Sequence, residues 1–433
     1  MKQIVLKIFH IVIAFFTKIY LKRTRPLIIG ITGSVGKTSC RMIVTQVLQQ
    51  LLPEKTIYTS PKNFNSEIGL ILSIFQIESY EAQVKVILPI LFRIIKESLF
   101  WKKKSDIIVL EYGIDHPHDM KYLTTVARAD IAIFTKLDAV HSAYFSNIEA
   151  IGDEKFLLLK TARKRVYLNA FDDYCKAHAE NLHPEHRFYN AGNLELKNLR
   201  YETSDTWVLA VAESGIGQIK TNLMGAENLA YILIGMDIAS YIWDISVSEK
   251  ELLFSLKLQA WRFSVFSEGE NIFIDSTYNA APESMKVMIE NAKHLRNILV
   301  PDYKVGYLIG DMRELGENSK DMHLSLVSHL MEADYIFTVW AEMKSYVVSE
   351  LLKNGFKGLL KDFLSSREAG KELKVYLESI GGKSVTLFKG SQNTIFTEEA
   401  LKEVLNSEVD KKKLVRQSQT WIEKKEQFFQ EWK

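Results

Sequence analysis

The sequence predicts an α/β protein built on parallel sheets, and three observations carry that reading. Short apolar, β-branched runs recur along the chain, each ends in a polar residue or glycine, and each is followed by a helix-like pattern. The runs are Leu27 to Ile31, Ile107 to Leu110, Ile131 to Phe134, Val166 to Leu168, Ile272 to Ile274, Val305 to Ile309, Tyr335 to Val339 and Val385 to Phe388. Continuous apolar character marks strands covered on both faces, as parallel sheets require. The residues that follow them include Thr32-Gly33, Glu111, Thr135-Lys136, Asn169, Asp275, Gly310-Asp311 and Lys389-Gly390. They would line the carboxyl edge, where open parallel sheets bind ligands.

The 433 residues suit two or three domains. With 47% hydrophobic and 25% charged residues the chain can bury a sizeable core, which excludes a disordered or collagen-like protein. A formal net charge of +2 provides no overall field for nucleic acid. Lys102 to Lys104 and Lys411 to Lys413 are too short, without interleaved aromatics, to argue a nucleic-acid partner. Cys40 and Cys175 are too few for a disulfide framework or a cysteine zinc site, so an intracellular, reducing location is expected.

Along the chain, Ile4 to Leu21 is apolar but interrupted by Lys7, His10 and Lys18, and no cleavage site follows it. It reads as a helix, either docked on the body or lying on the inner membrane face with Lys22, Arg23 and Arg25 near phosphates. Val84 to Trp101 has the same character, with Pro89 and Arg93 inside it. Arg187 to Lys220 loosens into alternating pieces and predicts an antiparallel appendage. Asn228 to Ile242 predicts an apolar helix, and Ser246 to Lys257 a polar helical stretch before a boundary near Leu258. The tail from Lys411 places Trp421, Ile422, Phe428, Phe429 and Trp432 at helical spacing. The expected organisation is an apolar helix over 1–26, a central domain over 27–257, a second over 258–408 and an amphipathic tail over 409–433.

Directly after the first strand comes Gly30-Ile31-Thr32-Gly33-Ser34-Val35-Gly36-Lys37-Thr38-Ser39, then a helix with Ile43, Val47, Leu48 and Leu51 on one face. Glycines let backbone N–H groups turn in on phosphate oxygens, the helix start adds positive potential, and Lys37 reaches the outer phosphates. Thr38 would offer its hydroxyl to Mg²⁺. The strict spacing wants glycine at 31, where isoleucine stands, so the loop is a shifted variant. The expected ligand is ATP or another nucleoside triphosphate. The bland reading, a Gly-Lys-Thr string arising by chance, weakens once strand and helix flank it.

Further segments resemble the Mur ligases, ATP-dependent amide-bond ligases of peptidoglycan synthesis. Thr32 to Ser39 is similar to that family's form of the phosphate loop, and Ser60 to Gly69, with Asn63 and Asn65, to the segment after the first helix in the D-alanyl-D-alanine-adding branch. Val109 to Gly113 resembles its metal-binding glutamate strand, and Thr135 to His141 with Lys155 its histidine and downstream lysine. Asp275 to Met285, Gly310 to Gly316 and Lys389 to Ser391 resemble signatures of the same branch in the same order. The resemblance implies a P-loop parallel-sheet central domain followed by a Rossmann-like C-terminal domain. It implies ATP and two Mg²⁺ ions, with Thr38 and Glu111 on one and His141 and a carbamylated Lys155 on the other. It also implies nucleotide contacts from Asn228, Arg262, Asp275 and Tyr278, Arg262 reaching the γ phosphate when the domains close. Asn63, Asn65, Asn279, Ser284 and Asp311 stand as substrate-side residues, although a strand-to-helix turn would equally employ the last three as caps. Singly, Glu111 reads as a turn carboxylate, His141 as a surface residue and Lys155 as a solvated helix position.

The implied chemistry is activation of a carboxylate as an acyl phosphate and its capture by an amine, giving ADP and phosphate. The implied partners are small molecules: a muramoyl-peptide-like acceptor and a D-alanyl-D-alanine-like amine, handled by a cytoplasmic monomer. Three departures stand out. Glu227 replaces a family histidine, and Lys136 and Tyr231 replace asparagines. Residues 1–26 leave no room for a uridine-binding domain, which raises a lipid-linked acceptor and peripheral membrane contact through residues 4–21 and 84–101. The alternatives are a Mur-like ligase with another acceptor, and a nucleotide-gated scaffold without ligation. His116-Pro117-His118-Asp119 lacks further ligands for zinc and reads as structural or substrate-side.

Overall fold

The computed structural model describes the chain except residues 1, 62–66, 78–83, 101–102, 139–144, 146, 183–184, 204–207, 224, 246–250, 255, 257–263, 393 and 432–433, and only the backbone of 2–8, 84–87, 201–203, 208–209 and 251. Two compact units result, residues 1–137 with 144–257 and residues 138–143 with 258–433.

Unit 1 opens with α1 (Lys2–Thr24), in which the Thr17 and Thr24 hydroxyls donate back to Ile13 and Tyr20 carbonyls. There follow β1 (Leu27–Thr32), α2 (Lys37–Leu51), β2 (Ile57–Thr59), α3 (Glu67–Ile74), α4 (Val84–Phe100), β3 (Ile107–Glu111) and α5 (Asp119–Val126). Then come β4 (Ile131–Phe134), α6 (Ile148–Thr161), β5 (Arg165–Asn169), α7 (Asp173–His178) and β6 (Glu185–Tyr189). The six strands form one parallel sheet in the order β2-β3-β1-β4-β5-β6. β1 sits centrally, and β1, β3, β4 and β5 are almost wholly buried, so the carboxyl end of β1 is held rigidly between Glu111 and Phe134. One core joins α1, α3, α4 and α5 to this sheet through Phe9, Ile13, Tyr20, Phe75, Ile94 and Leu123.

A smaller sheet follows, β7 (Lys197–Thr203), β8 (Val208–Ser214) and β9 (Gly217–Thr221), antiparallel as the alternating pattern predicts. After α8 (Ala226–Trp243), β10 (Glu251–Phe254) adds to it parallel to β9. Two expectations are corrected here. Arg187 to Tyr189 belong to the main sheet, paired parallel to β5; β6 is a half-exposed edge strand and lacks the continuous apolar run of a central one. Residues 251–254 are strand rather than helix: Leu253 faces out and Phe254 is buried, a period of two hidden in a charged neighbourhood.

Unit 2 runs β11 (Ser264–Glu268), β12 (Asn271–Asp275), α9 (Pro282–Leu299), β13 (Lys304–Gly310), the short helices α10 (Ser319–Leu324) and α11 (Val327–Leu330), and β14 (Tyr335–Val339). It continues with α12 (Ser349–Lys353), β15 (Leu359–Phe363), α13 (Ser366–Ser379), β16 (Ser384–Lys389), α14 (Thr397–Val404), α15 (Glu408–Lys411) and α16 (Gln419–Glu431). The sheet order is β11-β12-β16-β13-β14-β15, parallel except for β11. The tail helix α16 is held by Lys425, buried against Glu399 at 2.6 Å, by the Arg367–Glu426 pair, and by Phe428 and Phe429 against Phe396. The α/β class and both parallel sheets are as the sequence predicts; β2, β11 and β15, short or half-exposed edge strands, carried too little apolar signal to be read.

Candidate active site

β1 delivers the chain into the glycine loop. Gly33 and Gly36 have φ of 133° and 83°, in the region that disfavours side chains. A Cβ on Gly33 would lie 2.1 Å from Thr135 Oγ1, and one on Gly36 2.4 Å from Tyr231 Oη, so space also demands glycine. The loop is braced from the next strand: Ser34 N–H donates to the Lys136 carbonyl at 2.7 Å, and Thr135 Oγ1 donates to Thr32 and Val35 carbonyls. Thr32 is buried and donates to the Tyr112 carbonyl at 2.9 Å. Lys37 Nζ folds back over the loop, donating to Gly33 O at 2.8 Å and Ser34 O at 3.2 Å, which places its charge beside the loop amides. α2 starts at Lys37, so the N–H groups of its first turn, to which Ser39 belongs, point back toward the loop.

The parallel register sets Glu111 opposite Ile31, beside the start of α2. Thr38 Oγ1 donates to Glu111 Oε2 at 2.9 Å, with both residues buried. Behind them stands Arg41, one turn on from Thr38. Its Nε is 3.4 Å from Glu111 Oε2, and its Nη1 donates to Thr59 Oγ1 at 2.7 Å and to the Ser60 carbonyl. Arg41 is 2% exposed and its Nη2 is buried without a hydrogen-bond partner. Sequence reasoning missed it. The signal was an arginine between Cys40 and Ile43 on a helix face that otherwise turns inward.

Lys155 lies in the second turn of α6 and is 1% exposed. Burial, and next the Lys37 ammonium, hold its amine well below the usual lysine range, while Asp115, Glu111 and Glu154 pull the other way. Glu111, Lys37 and Lys155 therefore share one buried electrostatic neighbourhood. α8, whose first turn carries Asn228, reaches the same loop through Tyr231 one turn on, whose hydroxyl abuts Gly36. Val35 and Gly36 thus lie between α8 and β4 rather than in open solvent.

The strand-end residues of unit 2 gather at the carboxyl edge of its own sheet. Asp275 is wholly buried; its Oδ1 accepts from Thr277 N–H at 3.0 Å and the Thr277 hydroxyl at 2.7 Å, and its Oδ2 has no partner. Burial pushes its carboxyl up to about 6. Asn279 accepts Lys389 Nζ on its carbonyl at 2.9 Å and the Ser391 hydroxyl on Oδ1 at 3.2 Å. The Tyr278 carbonyl accepts from Arg416 at 3.2 Å. Ser284 Oγ bonds both the N–H and the carbonyl of Ala281, the capping use expected at the start of α9. Asp311 accepts from the Glu342 and Met343 N–H groups, again a cap. His141, Arg262, Asn63 and Asn65 lie outside the described residues. His116 N–H donates to Asp119 Oδ2 at 2.8 Å, and among the described residues no three His, Cys, Asp or Glu side chains gather as a metal site.

A central parallel strand, a glycine loop, a helix starting with Lys-Thr and a carboxylate on the adjacent strand define a P-loop α/β domain. Residues 31–239 match the model of the Mur ligase middle domain. The chain thus carries a Mur ligase middle domain. It is 23% identical over 331 residues to the UDP-N-acetylmuramoyl-tripeptide–D-alanyl-D-alanine ligase of Rickettsia prowazekii, spanning 72% of this chain and 64% of that protein. To the Haemophilus influenzae ligase of the same name it is 21% identical over 405 residues, 90% of this chain and 79% of the other. The fold is similar to that of the MurF ligase from Thermotoga maritima in complex with ADP, with a TM-score of 0.69 at 20% identity over 90% of this chain and 82% of that one.

Proposed function

We propose that the protein is an ATP-dependent carboxylate–amine ligase of peptidoglycan precursor synthesis, adding D-alanyl-D-alanine or a similar amine to a muramoyl-peptide-like acceptor. One observation carries the reading: a buried Thr38–Glu111 pair stands at a phosphate loop, within electrostatic reach of the buried amine of Lys155. Lys37 and the loop N–H groups would hold the β and γ phosphates. The acceptor carboxylate would take the γ phosphoryl group, releasing ADP; the neutral amine would then attack the acyl carbon, and phosphate would leave with the amine's proton passed to solvent.

The residues present fit Mg²⁺. Thr38 Oγ1 and Glu111 Oε2 are hard oxygen donors already together, and His141 with Lys155 would form a second set. A metal there would neutralise charge developing on the transferred phosphoryl group. Lysine nitrogen condenses with CO₂ only when uncharged, so a Lys155 amine held below its usual range favours carbamylation, which turns it into an oxygen ligand. Arg41 meanwhile supplies a buried positive charge 3.4 Å from the Glu111 carboxylate. Asn228, Arg262, Asp275 and Tyr278 complete the proposed nucleotide set, and Asn63, Asn65, Asn279, Ser284 and Asp311 the substrate-side set. The reading extends to a cytoplasmic monomer, in keeping with two buried free cysteines, and to peripheral membrane contact through residues 4–21 and 84–101.

The test is phosphate release from ATP with Mg²⁺ and bicarbonate, offering a muramoyl tripeptide nucleotide and D-alanyl-D-alanine together and singly. Release that needs both, with an amide product by mass, is expected. Slow hydrolysis indifferent to every acceptor and amine would replace the ligase with a nucleotide-gated scaffold.

A further inference from the structure

The outer face of α1 and α4 has no part in the chemistry above. α1 turns Phe9, Ile13, Ala14, Thr17 and Tyr20 inward, and α4 turns Ile90 and Ile94 onto the same core. The opposite stripe of α1 reads Ile11, Phe15, Lys18, Lys22, at helical spacings of four, three and four. That of α4 reads Leu88, Phe92, Leu99, with Phe100 beside it. Phe15, Ile11, Leu88, Phe92 and Phe100 range from 59% to 77% exposed. Arg23 of α1 donates to the Glu97 and Ser98 carbonyls of α4, so the carboxyl ends of the two helices lie together, and both helices bury their other faces in one core, leaving the apolar stripes outward. Neither helix exposes an acidic side chain: α1 has none, and Glu97 of α4 is buried between Arg93 and Lys104.

The basic end of this stripe opens into a cleft of about 780 Å³ at the amino end of β1, the end of the sheet away from the phosphate loop. Lys18, Lys22 and Arg25 line it together with Lys55, Arg128 and Lys164. The carboxylates in its wall are already engaged, Asp106 by Lys103 at 3.0 Å and Asp130 by Arg163 at 3.2 Å. Six cations therefore face the cleft with no carboxylate partner among the described residues.

We propose that this face docks on an anionic bilayer, the α1–α4 stripe entering the interface and the cleft receiving lipid phosphates. Lys18 and Lys22 belong to both surfaces, which is the arrangement that lets lysine stems lie along hydrocarbon while their ammonium groups meet phosphate. The net charge is positive at the headgroup level and the stripe is large aliphatic and aromatic, matching an interfacial helix pair on acidic lipid. Among the described residues no helix is long and apolar enough to cross a membrane, so docking is peripheral. The inference rests on the membrane contact proposed above, and gives it a site and a chemistry; ligation is read separately.

The experiment is cosedimentation of the full chain with phosphatidylcholine vesicles, with and without phosphatidylglycerol. Binding to the anionic vesicles is expected, weakened at least about tenfold without the anionic lipid or at high salt. Phe15→Glu with Phe92→Glu should abolish it, and Lys22→Glu with Lys164→Glu should remove the lipid preference, both with wild-type thermal melting and ATP-analogue binding. Absence of wild-type binding, or binding indifferent to both pairs, overturns the proposal. So does a lipid-free dimer that the phenylalanine pair dissociates while vesicles go unbound, which would assign the face to a second copy. A vesicle failure with intact amide formation sinks docking alone.

Discussion

The carboxyl edges of the two six-stranded sheets differ in how their strand-end polar groups are satisfied. In unit 1 the groups at the loop are drawn from distant parts of the chain: Thr38 to Glu111, Arg41 to Thr59, Lys155 to the field of Lys37. In unit 2 several are spent on capping backbone N–H groups and closing turns. Asp311 caps two N–H groups, Ser284 closes on Ala281, and Asp275 turns to Thr277 two residues on. A strand-end acid is thus not by itself a site. At the phosphate loop, buried charges from several elements converge on one place, which marks that edge as the candidate site.

The largest expected effect falls on the first edge. Lys37→Ala should lower acceptor-dependent phosphate release by about 10³-fold or more, since the variant loses its charge on the outer phosphates. Its melting temperature should stay near wild type; a large drop would mean that Lys37 acts mainly as a brace for the loop carbonyls.

On the second edge the main cost should be stability. Arg416 Nε and Nη2 meet Glu398 at 2.7 Å deep in unit 2, and the same guanidinium donates to Thr277 and Tyr278 carbonyls. Arg416→Met should cost about 3–5 kcal/mol in urea unfolding, because it strands a buried carboxylate. A loss under about 1 kcal/mol would show that Lys425, 3.7 Å from Glu398, suffices.

Asp275 sharpens the comparison through pH. Its carboxyl is raised from 3.8 to about 6 in the fold, so the native state holds a proton that the unfolded chain releases. Stability linked to this proton is fully present below about 3.8 and is lost as pH rises through about 6. Asp275→Asn keeps the acceptor for Thr277, and should flatten that slope and stabilise the protein by up to about 3 kcal/mol above pH 6. An unchanged pH profile of melting would show that the orphan oxygen is solvated. The smallest effect belongs to the exposed Lys361–Glu372 pair at 2.8 Å, where Lys361→Met should change stability by less than about 0.5 kcal/mol.

Most of the fold was legible in the sequence, because strands buried on both faces must be apolar throughout, and eight such runs stand out against polar surroundings. Edge strands escaped for the converse reason: β6 is polar and half exposed and β10 is short and alternating, so neither shows a continuous apolar run. The phosphate loop was legible because glycine, lysine and threonine are needed at fixed spacing within one turn. Arg41 was not, since its meaning depends on Glu111, 70 residues away.

The sequence by itself determined the α/β class, the central parallel strands, the glycine loop and the resemblance to the Mur ligases, because each depends on local pattern or on residues close along the chain. Only the tertiary structure decided that Glu111 meets Thr38, that Lys155 is buried beside Lys37, and that Lys18 and Lys22 share a cleft with Lys164. Sheet register and helix packing set those distances, and electrostatic interaction falls off with distance in space whatever the separation in sequence.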